Sequence, residues 1–217
     1  MNERINPDID PKRIVRDGYN ACAGAYAPVR AADDADQITH LIDVLPEGSS
    51  VVDLGCGAGV PITRALSERY RVTAVDISEA MIRRAKSNVP GARFIHGDVV
   101  AMALADVAFD AAVAIFMLFH LPREEHGRLF ERVWSWLRPG GYFLVSLTQD
   151  GEAECIKHDF FGTDMYWSKL SLAESMDLLE EVGFEIVCER IIEHGYGRQP
   201  LDRDEGNPMA LVRKPRR

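Results

Sequence analysis

The run Val51-Val52-Asp53-Leu54-Gly55-Cys56-Gly57-Ala58-Gly59 carries an apolar segment into a turn holding three glycines. Glycine adopts backbone conformations closed to other residues and lets a main chain approach a bound molecule closely. A turn of this kind at the end of a central strand is a common ligand cradle in open α/β sheets, and also a common tight turn. Asp53 narrows the choice. A carboxylate inside an apolar strand is costly unless something pairs with it. It would repel the pyrophosphate of a dinucleotide and favour a ligand ammonium group. Asp76 closes the next apolar run, Val72 to Val75, where a carboxylate can accept hydrogen bonds from two ribose hydroxyls. Asp98 follows Gly97 after a third run. His120 follows the apolar run Ala111 to Phe119, and with an ordinary pKa near ~6.5 it is the candidate general base. Bracing of its own loop is the other role open to it.

These residues need elements to hold them. Strand and helix patterns alternate, as in an α/β fold with a mostly parallel sheet. A helix is expected over residues 10–30 and another over 34–45, where Ile38, Leu41, Ile42 and Leu45 share one face. Strands are expected at 50–54, 71–76, 93–96, 109–116, 142–148 and 184–188, with a last one near 210–213. Helices begin near Pro61, after Ser78 and at Pro122. Pro139-Gly140-Gly141 reads as a tight turn into the fifth strand. Ser171 and Glu174 make a capping box for a helix that stops at Gly183. Residues 149–170 read as an irregular insert.

Composition sets limits. The chain has 217 residues, 47% of them hydrophobic, enough for one core and one domain. A formal charge of -9 disfavours a nucleic-acid partner. The basic cluster Arg213, Lys214, Arg216 and Arg217 reads as a frayed, solvated end. The cysteines at 22, 56, 155 and 188 show no zinc-like spacing, so no metal is expected, and reduced thiols suit a cytoplasmic protein. No apolar run approaches the ~20 residues of a membrane span, so no membrane partner is expected.

Several of these segments, taken in order, resemble the class I S-adenosylmethionine-dependent methyltransferases. Residues 51–59 are similar to their first motif. Val75-Asp76-Ile77-Ser78 resembles the ribose-binding motif and His96-Gly97-Asp98-Val99 the adenine-binding one. Phe109-Asp110 through Phe119-His120-Leu121-Pro122 resembles the strand-four motif, and Leu137-Arg138-Pro139-Gly140-Gly141 the turn before strand five. The resemblance runs from about residue 35 to 148, and the last strands extend it to about 214. It implies a three-layer Rossmann-like fold whose seven-stranded, mostly parallel sheet ends in an antiparallel strand. An N-terminal helical lid (1–33) and a substrate-side insert (149–170) belong to the same domain, 1–217. The cofactor implied is S-adenosylmethionine, with S-adenosylhomocysteine as product. Gly55, Gly57 and Gly59 would line its methionine part. Asp53 would anchor the loop and reach the ligand ammonium. Asp76 would bind the ribose, Ile77 pack on the adenine, and Asp98 with the Val99 N–H meet the adenine edge. The backbone after Phe116 would face the sulfonium.

On the acceptor side, residues 19–26 resemble a lid segment that uses Tyr19 and Tyr26, while Tyr166 and Trp167 would form the opposite wall. The Asn/Asp-Pro-Pro-Tyr/Phe signature of enzymes acting on planar nitrogens is absent after strand four. The expected function is methyl transfer to a small molecule, with oxygen the favoured acceptor atom. Two alternatives stand beside it. One is an NAD(P)-dependent oxidoreductase, although Val60 follows Gly59 and the third glycine comes one residue early for that fingerprint. The other is a catalytically silent S-adenosylmethionine-binding protein.

Overall fold

The computed structural model describes residues 10–192 and 207–216. Helix α1 (Pro11–Ala31) opens it. The Asp10 carboxylate caps its first turn, accepting from the Lys12 N–H, and proline sits where its missing N–H costs nothing. Then come α2 (Thr39–Val44), β1 (Ser50–Leu54), α3 (Ile62–Ser67), β2 (Arg71–Asp76), α4 (Glu79–Asn88), β3 (Arg93–His96) and β4 (Phe109–Ala114). The second half holds α5 (His126–Trp136), β5 (Leu137–Ser146), β6 (Glu152–Phe160), β7 (Thr163–Lys169), α6 (Leu172–Val182), β8 (Glu185–Ile192) and β9 (Asn207–Arg213).

Seven strands form one sheet in the order β3-β2-β1-β4-β5-β9-β8. The first five are parallel, and β9 runs antiparallel to both its neighbours. This is the α/β, Rossmann-like architecture expected from the sequence. Both faces of the sheet are covered. Val52, Ala112, Ala114, Phe143 and Val145 pack against α5 and α6 through Leu129, Phe130, Trp136 and Leu179. Val51, Ala111, Val113 and Leu144 point the other way, to Leu41, Ile62 and Leu66 of α2 and α3. Alternate residues of a strand face opposite sides, so strands buried on both faces read as continuous apolar runs. The chain order reverses between β1 and β4, which opens a crevice beyond their carboxyl ends.

Some expectations need correction. Residues 149–170 are not irregular: β6 and β7 pair as an antiparallel hairpin. Its tip runs Asp159, Phe161 and Gly162 with positive φ, so side-chain-bearing residues take turn positions usually signalled by Asn or Gly. Pro139-Gly140-Gly141 is not a turn before the fifth strand but lies within β5. A register shift between Phe109 and Ala111 on β4 absorbs the irregularity. The fourth strand stops at Ala114, the sixth continues to Ile192, and the last starts at Asn207. A short 3-10 turn precedes α5, so Pro122 does not open it directly.

The basic end is not frayed over its described part. Lys214 Nζ donates to the Trp134 and Leu137 carbonyls at 2.8 and 2.9 Å, and Arg213 pairs with Glu185 at 2.6 Å. Arg217 lies outside the described residues. No helix among the described residues is long and apolar enough to cross a membrane.

Candidate functional site

A cavity of about 980 Å³, counted to its open mouth, lies beyond the carboxyl ends of β1, β2 and β4. Asp53, Gly55, Gly57, Asp76, Ile77, Asp98, Val99, Phe116 and His120 all line it, as do Tyr19 and Tyr26. The fold thus gathers residues spread over a hundred positions.

Asp53 is buried, and Thr63 of α3 donates its hydroxyl to Oδ2 at 2.6 Å. Burial pushes the Asp53 carboxyl up to about 7; the Thr63 bond pulls it down, and the nearby Asp76 charge adds to the rise. In the unfolded chain the carboxyl titrates near ~3.9. The folded state therefore holds the proton more tightly, and stability present below that value is lost as the pH rises towards 7. Asp53→Asn keeps an acceptor for Thr63 and removes the buried charge. Its melting temperature relative to the parent should rise between pH 5 and pH 8. An equal difference at the two pH values would contradict this reading of Asp53.

Asp76 ends β2 beside the glycine turn. Its Oδ2 accepts the Gly57 N–H and its Oδ1 the Ser78 N–H, both at 2.8 Å. Burial raises this carboxyl, and the two N–H bonds oppose that. Each carboxylate oxygen can accept a second bond, so Asp76 can hold the turn and a diol together. Ser78 then caps α4 through the Met81 N–H, as expected. Cys56 sits in the same turn, its thiol pushed well up by burial and by the charges of Asp76 and Asp53, which makes it a poor nucleophile.

Three expected contacts differ from their sequence assignment. Gly59 does not line the cavity. A Cβ there would stand 3.3 Å from the Ala85 Cα and 3.2 Å from Val89 Cγ2, so this glycine lets the turn pack on α4. Tyr166 and Trp167 also stand outside the lining. Tyr166 is fully buried and donates its hydroxyl to Glu154, and Trp167 stacks on Phe119 at 4.6 Å. The hairpin backs the wall from behind because β7 packs on the loop after β4; Phe160 meets both lid tyrosines, at 6.0 Å from Tyr19 and 5.8 Å from Tyr26, and Phe161 meets Tyr26 at 5.4 Å.

The lid is one face of α1. Lys12, Val15, Tyr19, Tyr26 and Arg30 recur at helical spacing and line the cavity together. Gly18 permits this docking, since a Cβ there would lie 2.7 Å from the Asp164 carbonyl oxygen on β7. Lys12 and Arg30 were not singled out in the sequence, where they read as ordinary charges of an amphipathic helix. Lys12 Nζ reaches Asp98 Oδ2 at 2.7 Å and Glu125 at 2.9 Å, strapping the lid to the rim beside β3. Asp98 Oδ1 accepts the Val100 N–H. Arg30 is buried, pairs with Asp33, and lies over the Phe116 ring at 5.2 Å. Phe116 itself has a φ of 55°, a conformation costly for an aromatic residue that turns the chain after β4 into the cavity.

His120 is buried. Its Nδ1 lies 2.9 Å from the Tyr166 carbonyl oxygen and its Nε2 2.7 Å from the Tyr19 hydroxyl. Burial pushes its pKa down to about 4, with the Lys157 charge acting in the same direction.

A glycine turn, an acid at the end of each of two neighbouring strands and an aromatic lid suit a nucleoside carrying a charged tail. The comparisons agree. Residues 51–141 match the family model described as a methyltransferase domain. The chain is 26% identical over 200 residues to a carboxy-S-adenosyl-L-methionine synthase of Dichelobacter nodosus, with 84% of each chain covered. It is 37% identical over 111 residues to a trans-aconitate 2-methyltransferase of Variovorax paradoxus, covering 50% of this chain and 42% of that one. The crystal structure of Burkholderia thailandensis 1,6-didemethyltoxoflavin-N1-methyltransferase superposes with a TM-score of 0.73 at 20% identity, over 98% of this chain and 93% of that one. Sequence motifs and sheet order converge with these matches: residues 51–141 match a methyltransferase domain, and the fold is that of the class I, Rossmann-like S-adenosylmethionine-dependent methyltransferases.

Proposed function

We propose that this enzyme transfers the methyl group of S-adenosylmethionine to a small-molecule acceptor, at oxygen in preference to other atoms. The observation that carries it is the convergence of Asp53, Asp76 and Asp98 with Gly55, Gly57 and Phe116 on one cavity. In this reading the Asp76 carboxylate takes the ribose hydroxyls and Ile77 packs on the adenine. Asp98 and the Val99 N–H meet the adenine edge, Asp98 sharing its oxygens with Lys12. Asp53 favours the methionine ammonium. Arg30 takes the methionine carboxylate, since it is the cation lining the cavity beside Phe116.

The chain's work is then positioning. The acceptor atom attacks the methyl carbon in line with the sulfonium, a carbon–acceptor bond forms, and the sulfur–carbon pair returns to sulfur. An acceptor hydroxyl passes its proton to the Tyr19 oxygen as Tyr19 passes its own to His120 Nε2. His120 meets the acceptor through Tyr19, because Tyr19 occupies its Nε2. The single domain 1–217, with residues 1–33 as lid, belongs to the same reading. So does a cytoplasmic location, which Cys22, Cys56, Cys155 and Cys188, none of them joined in a disulfide, support.

Two experiments test this. In the first, S-adenosylmethionine is incubated with the protein and separate sets of hydroxyl, carboxylate, amine and thiol compounds, and S-adenosylhomocysteine is followed by mass spectrometry. Release in the hydroxyl set, with a product heavier by one methylene, is expected; release confined to the thiol set would contradict the oxygen assignment. In the second, Arg30→Leu should weaken S-adenosylhomocysteine binding by on the order of tenfold. It should leave binding of 5′-methylthioadenosine, which lacks the amino-acid tail, unchanged. Equal losses for both ligands would remove Arg30 from the carboxylate.

A further inference from the structure

The acceptor side of the cavity is an aromatic corner. The Tyr19 ring meets Tyr26 at 5.2 Å, His120 at 5.2 Å and Phe160 at 6.0 Å, each edge to face. One chain of hydrogen bonds runs through it, and its direction can be read. The Tyr166 carbonyl oxygen can only accept, so His120 Nδ1 donates to it and carries the ring proton. A neutral imidazole with its proton on Nδ1 has Nε2 as an acceptor. The Tyr19 hydroxyl, 2.7 Å away, is therefore the donor. An imidazolium would reverse the second bond, but the burial that pushes His120 down to about 4 keeps the ring neutral near pH 7. The hairpin carbonyl thus sets the tautomer, and the tautomer sets the tyrosine.

We infer that Tyr19 is a specificity-determining residue. With its proton held by His120, its oxygen offers the cavity only lone pairs, and it selects an acceptor whose nucleophilic atom bears hydrogen. That class is hydroxyl and N–H compounds, as opposed to carboxylates. The inference rests on the methyltransferase reading above and narrows its acceptor. A carboxylate would set lone pairs against lone pairs in a half-dry corner, whereas a hydroxyl or amine makes a bond there. Sites built to bond a protic group discriminate strongly against a partner that lacks it. His120 is the positioning residue that fixes this polarity, and Tyr166 acts through its backbone alone. That explains how a residue outside the lining bears on the site.

The test uses the full chain saturated with S-adenosylhomocysteine. The ring nitrogens of 15N-labelled histidine are observed by NMR, and His120→Gln identifies the His120 signals. The expected pattern is a protonated Nδ1 and a bare Nε2, with the Nε2 signal moving in Tyr19→Phe. Phenol, aniline and benzoate, matched in ring size, are then compared by saturation transfer. Phenol and aniline should contact the protein and lose that contact at least several-fold in Tyr19→Phe, while benzoate should show none. A protonated Nε2 would overturn the inference. So would benzoate contact equal to that of phenol, absent phenol contact, or phenol contact indifferent to Tyr19→Phe. Failure of the parent protein to bind S-adenosylhomocysteine is a separate result, and it would strike the cofactor reading instead.

Discussion

Asp76→Ala is expected to weaken S-adenosylhomocysteine binding by about tenfold to a hundredfold in a protein that stays folded. Hydrogen bonds to a charged acceptor contribute roughly 1.5–3 kcal/mol, and each ~1.4 kcal/mol is a factor of ten. Asp76 has two tasks, and the variant loses both. The ribose loses its acceptors, and the Gly57 and Ser78 N–H groups lose theirs. Stability should suffer less than binding, because burial already works against the Asp76 charge. Asp76→Asn, which keeps one oxygen, should fall between. Titration calorimetry paired with thermal melts checks this, and affinity within twofold of the parent in folded Asp76→Ala would contradict the assignment.

Gly55→Ala is the second large effect. Gly55 has a φ of 73°, and a Cβ there would stand 2.8 Å from the Met117 Cβ and still closer to its Cγ. The left-handed conformation alone costs an alanine roughly 1–2 kcal/mol. The clash adds to that and displaces Met117, which lines the cavity. A stability loss of about 2–4 kcal/mol and a more than tenfold loss of cofactor affinity are expected. Gly57→Ala is the matched comparison. Its φ of 53° carries the same kind of strain, but nothing stands within 4 Å of the new Cβ. Denaturant unfolding should find Gly55→Ala clearly the less stable of the two; equal losses would mean that the approach of Met117 does not limit the turn.

The reasons some residues could be read from sequence and others could not are physical. Asp53 and Asp76 were legible because a carboxylate inside or closing an apolar run is rare and needs a partner, and Asp98 because it stands at the matching place just past a third run. The sheet was legible because strands buried on both faces leave unbroken apolar runs. Lys12 and Arg30 were not, since helical spacing shows which residues share a face but not what that face covers. The hairpin at 152–169 was hidden by a tip in which Phe160 and Phe161 separate Asp159 from Gly162, so the turn residues do not stand together. The sequence sets Tyr166 and Trp167 against the acceptor, and neither lines the cavity. Their packing behind His120 depends on where β7 lands, a long-range fact with no local signal. Gly59 shows the same limit, since a glycine that meets a ligand and one that meets a helix look alike in sequence.

The most direct test of the central claim is calorimetric titration of the purified protein with S-adenosylhomocysteine, with NADH titrated in parallel. Micromolar binding of S-adenosylhomocysteine and none of NADH is the predicted result. Binding of NADH alone, or of neither ligand by folded protein, would contradict the account of the cavity.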